Sequence, residues 1–344
     1  MTTRTPFRIS FFGGGTDYPS WYRKEGGAVL STSIDKYCYL TCRHLPPFFP
    51  QRHRIVWSHI ENVSSIAEIL HPAVREGLRM LKFSDSPGIE LHHYSDLPAR
   101  SGMGSSSAFV NGLLLALATL RGQHLEKHEL YRLSLDLEQN WLRENVGSQD
   151  QVATAIGGFN FIRFNPDESI VISSVNVDES RVEYLEKRLM LFFTGTSRLA
   201  SEIAGKVVAN MVHHADDLRA MRQMVDDAVA LLEGTGDIDQ FGSMLDEAWR
   251  RKRALSEGIS NDSIDTIYRK SRQAGALGGK LLGAGGAGFM AFYVPLDRQD
   301  DVSAALDSLL CVPFKFEMTG ATLLHTSVPE PAPRARWKVA EAGI

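Results

Sequence analysis

The first half of the chain mixes short strand-like runs with loops. Apolar and polar positions point to strands over Arg8–Phe12, Ala28–Cys42, Arg54–His59 and Gly88–Tyr94. In the last of these Ile89, Leu91 and His93 alternate with Glu90, His92 and Tyr94, the period of a half-buried strand. Ser95-Asp96-Leu97-Pro98 ends it. The apolar run from Ala108 to Leu120 is too long for a strand, and Val110, Leu113, Leu114 and Leu117 recur at helical spacing. A second helix is expected over about Lys127–Asn145, with Leu130, Leu133, Leu137 and Trp141 as its apolar stripe and a stop near Gly147. Gly158–Phe164 returns to strand alternation before Asn165-Pro166-Asp167.

The second half differs. A strand at Arg188–Phe193 precedes long helical patterns over about Leu199–Leu232 and Asp237–Leu255; another helix precedes Gly275, and Phe289–Val294 reads as a buried strand. The expectation is an α+β protein of two domains, residues 1–170 and 171–328, followed by an extended tail over 329–344 in which Pro-Glu-Pro-Ala-Pro occurs.

Composition narrows the function classes. With 344 residues, 43% of them hydrophobic, the chain can bury a large core, and a formal charge of −4 lacks the basic excess that neutralises a nucleic-acid backbone. No stretch approaches the roughly 20 apolar residues of a membrane span, and the first ten residues carry no apolar signal core. A cytoplasmic setting is expected, with neither nucleic acid nor membrane as partner. Cys38, Cys42 and Cys311 form no paired motif, and the eleven histidines show no HExxH spacing, so neither a disulfide framework nor a protein-bound metal cage is expected.

Chemistry concentrates in glycine-rich loops. In LPARSGMGSSSAFV, Leu97–Val110, two spaced glycines and three serines stand where a helix begins, so free N–H groups and the positive end of the helix dipole converge on one place. A serine cap behind a glycine turn explains one residue of each kind; the full run favours an anion site. It is not a Walker A loop, because GxxxxGK followed by Ser or Thr occurs nowhere. Gly283–Gly288 matches GxGxxG by letters, but a strand follows it where a dinucleotide fingerprint needs a helix. Gly13, Gly14 and Gly15 follow the first strand; a turn at positive φ needs one glycine and hardly three.

Three segments, PFRISFFGGGTDYP, LPARSGMGSSSAF and KLLGAGGAGFMAF, resemble in order and spacing the signature motifs of the GHMP small-molecule kinases, which include galactokinase, homoserine kinase, mevalonate kinase and phosphomevalonate kinase. The resemblance covers about Arg4–Thr326, and the GGGTDYP version is most similar to the D-glycero-D-manno-heptose 7-phosphate kinase branch. It implies an amino-terminal domain like ribosomal protein S5 domain 2, a ferredoxin-like carboxyl-terminal domain, and ATP and sugar meeting between them. The implied reaction is transfer of phosphate from ATP to the anomeric hydroxyl, on the way to GDP-heptose for capsule or lipopolysaccharide.

The resemblance also implies roles. Asp150 would take or align the hydroxyl proton with Arg8 beside it; a loop aspartate making an Asx turn is the alternative, and the base is favoured. Arg100, Ser101, Gly102, Met103, Gly104, Ser105, Ser106 and Ser107 would cradle the ATP phosphates, and Ser106 with Glu138 would hold Mg2+. From pattern alone Glu138 lies in line with Tyr131, Leu135 and Leu142, so it is either an inward carboxylate that needs a partner or a solvated one. Gly13, Gly14, Gly15, Thr16 and Asp17 would face the sugar, with Gly285 of the third motif; that motif would pack against the phosphate loop. Galactokinase has Gly-Glu-His-Thr-Asp-Tyr where this chain has Gly13–Tyr18, so a negative charge and volume are lost there, as a longer, phosphorylated sugar requires.

Arg23, Lys36, Arg43 and Arg198 are the candidate cations for the sugar's phosphate, although each taken alone reads first as a solvated surface charge, and Trp57, His59 and Asn62 are the candidates for adenine contacts. A homodimer is left open. Two other readings stand beside the first: another anomeric sugar kinase, such as a fucose-type enzyme, and a non-catalytic sensor of sugar and ATP with the same fold.

Overall fold

The computed structural model describes residues 1–195 and 200–325. Arg198 and the tail over 329–344 lie outside the described residues. Twelve described strands run in chain order as β1 Thr2–Phe12, β2 Gly27–Leu45, β3 His53–Val56, β4 Ile60–Val63, β5 Gly88–Ser95, β6 Phe159–Phe164, β7 Ile170–Ser174, β8 Leu189–Phe193, β9 Gly278–Leu281, β10 Phe289–Tyr293, β11 Leu310–Cys311 and β12 Thr322–His325.

The first sheet is built around β2. This 19-residue strand pairs antiparallel with β1 along one edge. On the other edge its first residues pair with β6 and its last with β5. The order β12-β1-β2-β5-β3-β4 results, with β7 beside β6. The sheet is not confined to residues before 171. Pairing carries β7 through Ser174, and the chain returns at Thr322–His325 to pair with β1. The last strand therefore belongs with the first by hydrogen bonding, a partnership no local pattern shows.

The second sheet has the order β11-β8-β10-β9, all antiparallel. In chain order it is strand, helices, strand, strand, helix, strand, with the first strand lying between the last and the third: the ferredoxin-like arrangement expected from the resemblance. Helices Ala215–Glu233 and Gln240–Ala254 of this half pack on β1 and β2, so the two halves share a core. Phe241 sets its ring edge against Phe11 and Phe12 of β1 at 5.2 and 5.0 Å between centroids. Each such aromatic pair adds roughly 0.5–1.5 kcal/mol beyond area burial, which fixes one wall of the cleft against the other.

Two expected elements differ. Arg54–His59 is not one strand but the hairpin β3–β4, closed where the Trp57 amide donates to the His59 carbonyl at 2.9 Å. The second helix is α-helical only over Lys127–Leu135 and continues as a π turn, Asp136–Trp141. The wider turn breaks the 3.6-residue stripe: Trp141 is 45% exposed, whereas Leu137 and Glu138 are buried. Among the described residues no helix is long and apolar enough to cross a membrane.

Candidate active site

A cleft of about 1530 Å3 lies between the two halves, lined by all three glycine segments. One wall is the loop before helix Ser105–Leu120. Arg100, Gly102 and Gly104 there adopt positive φ of 59°, 80° and 74°. Gly104 caps the helix without a side chain, so the first-turn N–H groups remain available to an anion. Arg100, Gly102, Gly104, Ser105, Ser106 and Ser107 line the cleft. Ser101 and Met103 do not: both are buried behind the loop, where the Ser101 hydroxyl donates to the Pro98 carbonyl and the Met103 carbonyl accepts from the Arg8 amide.

The third motif braces this loop from behind. A Cβ on Gly102 would stand 2.4 Å from the Leu282 carbonyl oxygen, and one on Gly283 would stand 2.4 Å from the Gly102 Cα. Only backbone fits between them. Gly285, expected to face the sugar, does not line the cleft; it abuts the Ile259 backbone.

Arg8 and Asp150 meet at the centre. Arg8 Nε donates to Asp150 Oδ1 at 2.7 Å and Nη2 to Oδ2 at 2.8 Å, while Nη1 donates to the Gly102 carbonyl at 2.7 Å. The guanidinium is buried and the carboxylate about one quarter exposed, in the first turn of helix Gln149–Ile156. One residue thus ties the carboxylate to the phosphate loop, and planar bidentate geometry aims it.

Asp17 lies beside them. It accepts from the Gly15 amide at 3.0 Å and the Gln149 amide at 3.3 Å. Burial raises its carboxyl above the ordinary carboxylate range; these amides oppose the shift and the Asp150 charge adds to it. Gly14 and Gly15 line the cleft, but Gly13 and Thr16 do not. Thr16 is a fastener: its hydroxyl donates to the carbonyls of Gly13 and Ala28, at 2.8 and 2.9 Å. Gly13 and Gly15 have φ of 81° and 106°. Two of the three glycines are therefore accounted for by the turn, and Gly14 alone is spare room.

Glu138 reaches the cleft from the π turn. It accepts from Ser107 Oγ at 3.1 Å and from Gln151 Nε2, while its Oε1 is buried with no hydrogen-bond partner among the described residues. Burial, and then the charge of Glu144, push its carboxyl up to about 8. An unpartnered carboxylate oxygen beside serine hydroxyls suits a hard divalent cation such as Mg2+, which takes oxygen ligands and completes its shell with phosphates and water. The serine bonded to Glu138 is Ser107; Ser106, expected in that place, is exposed at the rim. Among the described residues no group of three or more His, Cys, Asp or Glu could hold a metal.

Aromatic rings fill the far end. His71 stacks on Phe109 at 4.6 Å, and Trp57 sets its edge against His71 and His59 at 4.9 and 4.8 Å. Burial holds His71 down to about 4, so the ring is neutral at pH 7. Trp57 and His59 line the cleft as expected of base contacts; Asn62 does not, and His71, His93 and Phe109 are additions.

Three of the four expected cations are elsewhere. Arg23 pairs with Glu168, Lys36 with Asp35 and Arg43 with Glu90, all away from the cleft. Arg100, Arg143, Lys252 and Lys280 line it instead, and none of the four is in an ion pair among the described residues. Lys252 hides in the run Arg250–Arg253, which reads as a solvated helix face. Its spacing from Leu245, Ala248 and Trp249, by seven, four and three residues, marks it as inward.

Residues 66–158 match the family description GHMP kinases N terminal domain, and residues 227–312 match GHMP kinases C terminal. The chain is 30% identical over 315 residues to D-glycero-alpha-D-manno-heptose 7-phosphate kinase of Campylobacter jejuni, covering 89% of this chain and 93% of that one. It is 28% identical over 307 residues to the bifunctional fucokinase/GDP-fucose pyrophosphorylase of Arabidopsis thaliana, covering 83% of this chain but 29% of that protein. In fold it is similar to a D-glycero-D-manno-heptose 1-phosphate kinase from Bacteroides thetaiotaomicron, with TM-score 0.75, 24% identity and coverage of 93% and 97%. Lactococcus lactis galactokinase is also similar, with TM-score 0.71, 16% identity and coverage of 93% and 94%.

Proposed function

The chain belongs to the GHMP kinases and is an ATP-dependent kinase, and on that premise we propose that it phosphorylates the anomeric hydroxyl of D-glycero-D-manno-heptose 7-phosphate. The product is the 1,7-bisphosphate, an intermediate for GDP-heptose used in capsule or lipopolysaccharide, and the setting is cytoplasmic. The observation that carries the reading is the Arg8–Asp150 pair, a buried guanidinium holding a carboxylate at the mouth of an anion-binding loop. Similarity to the Campylobacter enzyme supports the choice of sugar.

Phosphoryl transfer asks for positioning and charge stabilisation more than for covalent chemistry. Asp17, with Gly14 leaving space beside it, holds the sugar hydroxyls. Asp150 accepts the anomeric hydroxyl proton as the oxygen bonds to the γ-phosphorus. The bond from that phosphorus to the β,γ-bridging oxygen breaks, and its electron pair leaves with ADP. Arg8 orients the Asp150 carboxylate through the planar bidentate pair. The phosphate loop from Arg100 to Ser107 offers its amides to the ATP phosphates, and the base stacks among Trp57, His59, His71 and Phe109. Glu138 with the serines at 105–107 would hold Mg2+, which when bound neutralises phosphate charge.

The test is ADP formation with D-glycero-D-manno-heptose 7-phosphate, the unphosphorylated heptose, mannose, galactose and L-fucose. The expected result is kcat/KM at least about 100-fold higher for the 7-phosphate, because groups that pair with a substrate's charge are left unpaired by analogues lacking it. Preferential turnover of fucose would move the assignment to the fucose-type reading, to which the similarity with fucokinase gives its weight. Binding of ATP and sugar with no ADP released would make the protein a sensor.

A further inference from the structure

Two lysines in the cleft are left without a role by the dyad, the phosphate loop and Glu138. Lys252, on helix Gln240–Ala254, is buried with its Nζ donating to the carbonyls of Leu281 at 2.9 Å and Gly283 at 2.5 Å. Lys280, on β9, donates to the Phe11 carbonyl at 2.7 Å. Neither has a carboxylate within 4.0 Å among the described residues. An ammonium withdrawn from water without a counter-ion is strongly disfavoured unless an anion arrives. Both keep N–H groups unused; Lys280 fastens β9 to β1, whereas Lys252 is set between the third motif and the reacting centre, with Arg8, Asp17 and Asp150 about it, and its two acceptors leave one N–H for a ligand.

The contacts say which anion. Lys252 grips the Gly283 carbonyl; Gly283 lies backbone to backbone on Gly102; the Gly102 carbonyl accepts from Arg8; Arg8 holds Asp150. This chain of neighbours runs along the phosphate loop to the base, where the migrating group must pass. The sugar's own phosphate is carried at the other end of a seven-carbon chain from the anomeric hydroxyl. Resting on the kinase reading above, we infer that Lys252 is a catalytic residue whose free N–H contacts the γ-phosphoryl oxygens as they move from ADP to the sugar. Charge gathers on those oxygens in the transition state, and a fixed cation in a water-poor site stabilises it without reorganising.

The charged groups facing Lys252 are Arg8, Lys280, Asp17 and Asp150. Burial, then Arg8, bring its ammonium down to about 7, with both aspartates opposing. The protonated form is the active one, so kcat/KM for ATP is expected to fall as pH rises through that value.

The experiment compares wild type, Lys252→Met and Lys252→Arg for kcat and KM with the phosphorylated and unphosphorylated heptose, over pH 6–9. Lys252→Met is expected to lower kcat by about 10²–10³-fold with either sugar, at nearly unchanged sugar KM. Lys252→Arg is expected to recover part of the rate and to lose the alkaline limb, since a guanidinium stays protonated. Unchanged kcat in Lys252→Met overturns the inference. So does a defect confined to KM of the phosphorylated sugar, which would assign Lys252 to the sugar's own phosphate. Should the Met variant fail to fold, the Arg variant decides, and an unmoved alkaline limb at full rate overturns it. Wild type silent with every sugar removes the kinase reading itself and this inference with it; wild-type turnover with an unaffected Met variant removes only the inference.

Discussion

Asp150→Asn is expected to lower kcat by about 10²–10⁴-fold, the usual share of a positioned general base, while ATP affinity stays within about threefold of wild type. The geometry separates the two effects. Asp150 touches Arg8 and stands in the first turn of its own helix, whereas the loop amides that would receive ATP are supplied by 100–107. Asn keeps the volume but offers one acceptor oxygen in place of two, so the bidentate pair with Arg8 becomes a single hydrogen bond beside a guanidinium that stays charged and buried. Because the carboxylate is about one quarter exposed, the stability loss should be smaller than for a fully buried pair, about 1–3 kcal/mol. Turnover is read from ADP release at saturating ATP, ATP affinity from titration calorimetry, and folding from the thermal transition. A folded variant that retains near wild-type kcat would take Asp150 out of the mechanism and leave Arg8 as a structural link alone.

Motif order carried most of what could be read without coordinates, because each glycine loop is a local arrangement written in adjacent residues. The anion loop before Ser105, the pairing of Arg8 with Asp150 and the two-domain division all have such local or family-level signals. What escaped was set by partners far along the chain. β12 is a strand because β1 lies open beside it, and residues 170–174 join the first sheet because β6 offers an edge. The π turn over Asp136–Trp141 shifts the inward face by a fraction of a turn, and no period of 3.6 contains it. Arg23, Lys36 and Arg43 look alike in sequence; Arg23 and Arg43 are occupied by Glu168 and Glu90, carboxylates that only the fold brings near, and Lys36 by its chain neighbour Asp35. Lys252 escaped for the opposite reason, since three arginines around it make a solvated face the natural reading of a helix position that is in fact buried.

The triple glycine gives the other large effect, and here the neighbours Gly13 and Gly14 are expected to behave oppositely. Gly13 has φ of 81°, and a Cβ there would stand 1.9 Å from the Ala28 carbonyl oxygen. That oxygen also receives the Thr16 hydroxyl, which clasps the turn closed, so it cannot retreat without opening the β1–β2 junction. Gly13→Ala combines left-handed backbone strain of about 1–2 kcal/mol with this collision, for a total loss of about 3 kcal/mol or more, read as a lowered denaturant midpoint. Gly14 is outside the left-handed region, and a Cβ there meets Gln149 Nε2 at 3.7 Å and Ser10 Oγ at 3.8 Å, both ordinary contacts. Gly14→Ala should therefore fold like wild type, within about 0.5 kcal/mol, and place its methyl in the cleft beside the sugar wall. One added carbon against a fitted substrate is worth roughly 1–3 kcal/mol, so KM for the sugar phosphate should rise about tenfold or more while KM for ATP holds. If Gly14→Ala leaves the sugar KM unchanged, the room at this position is not where the sugar lies, and the absence of side chains after β1 would reflect the turn alone.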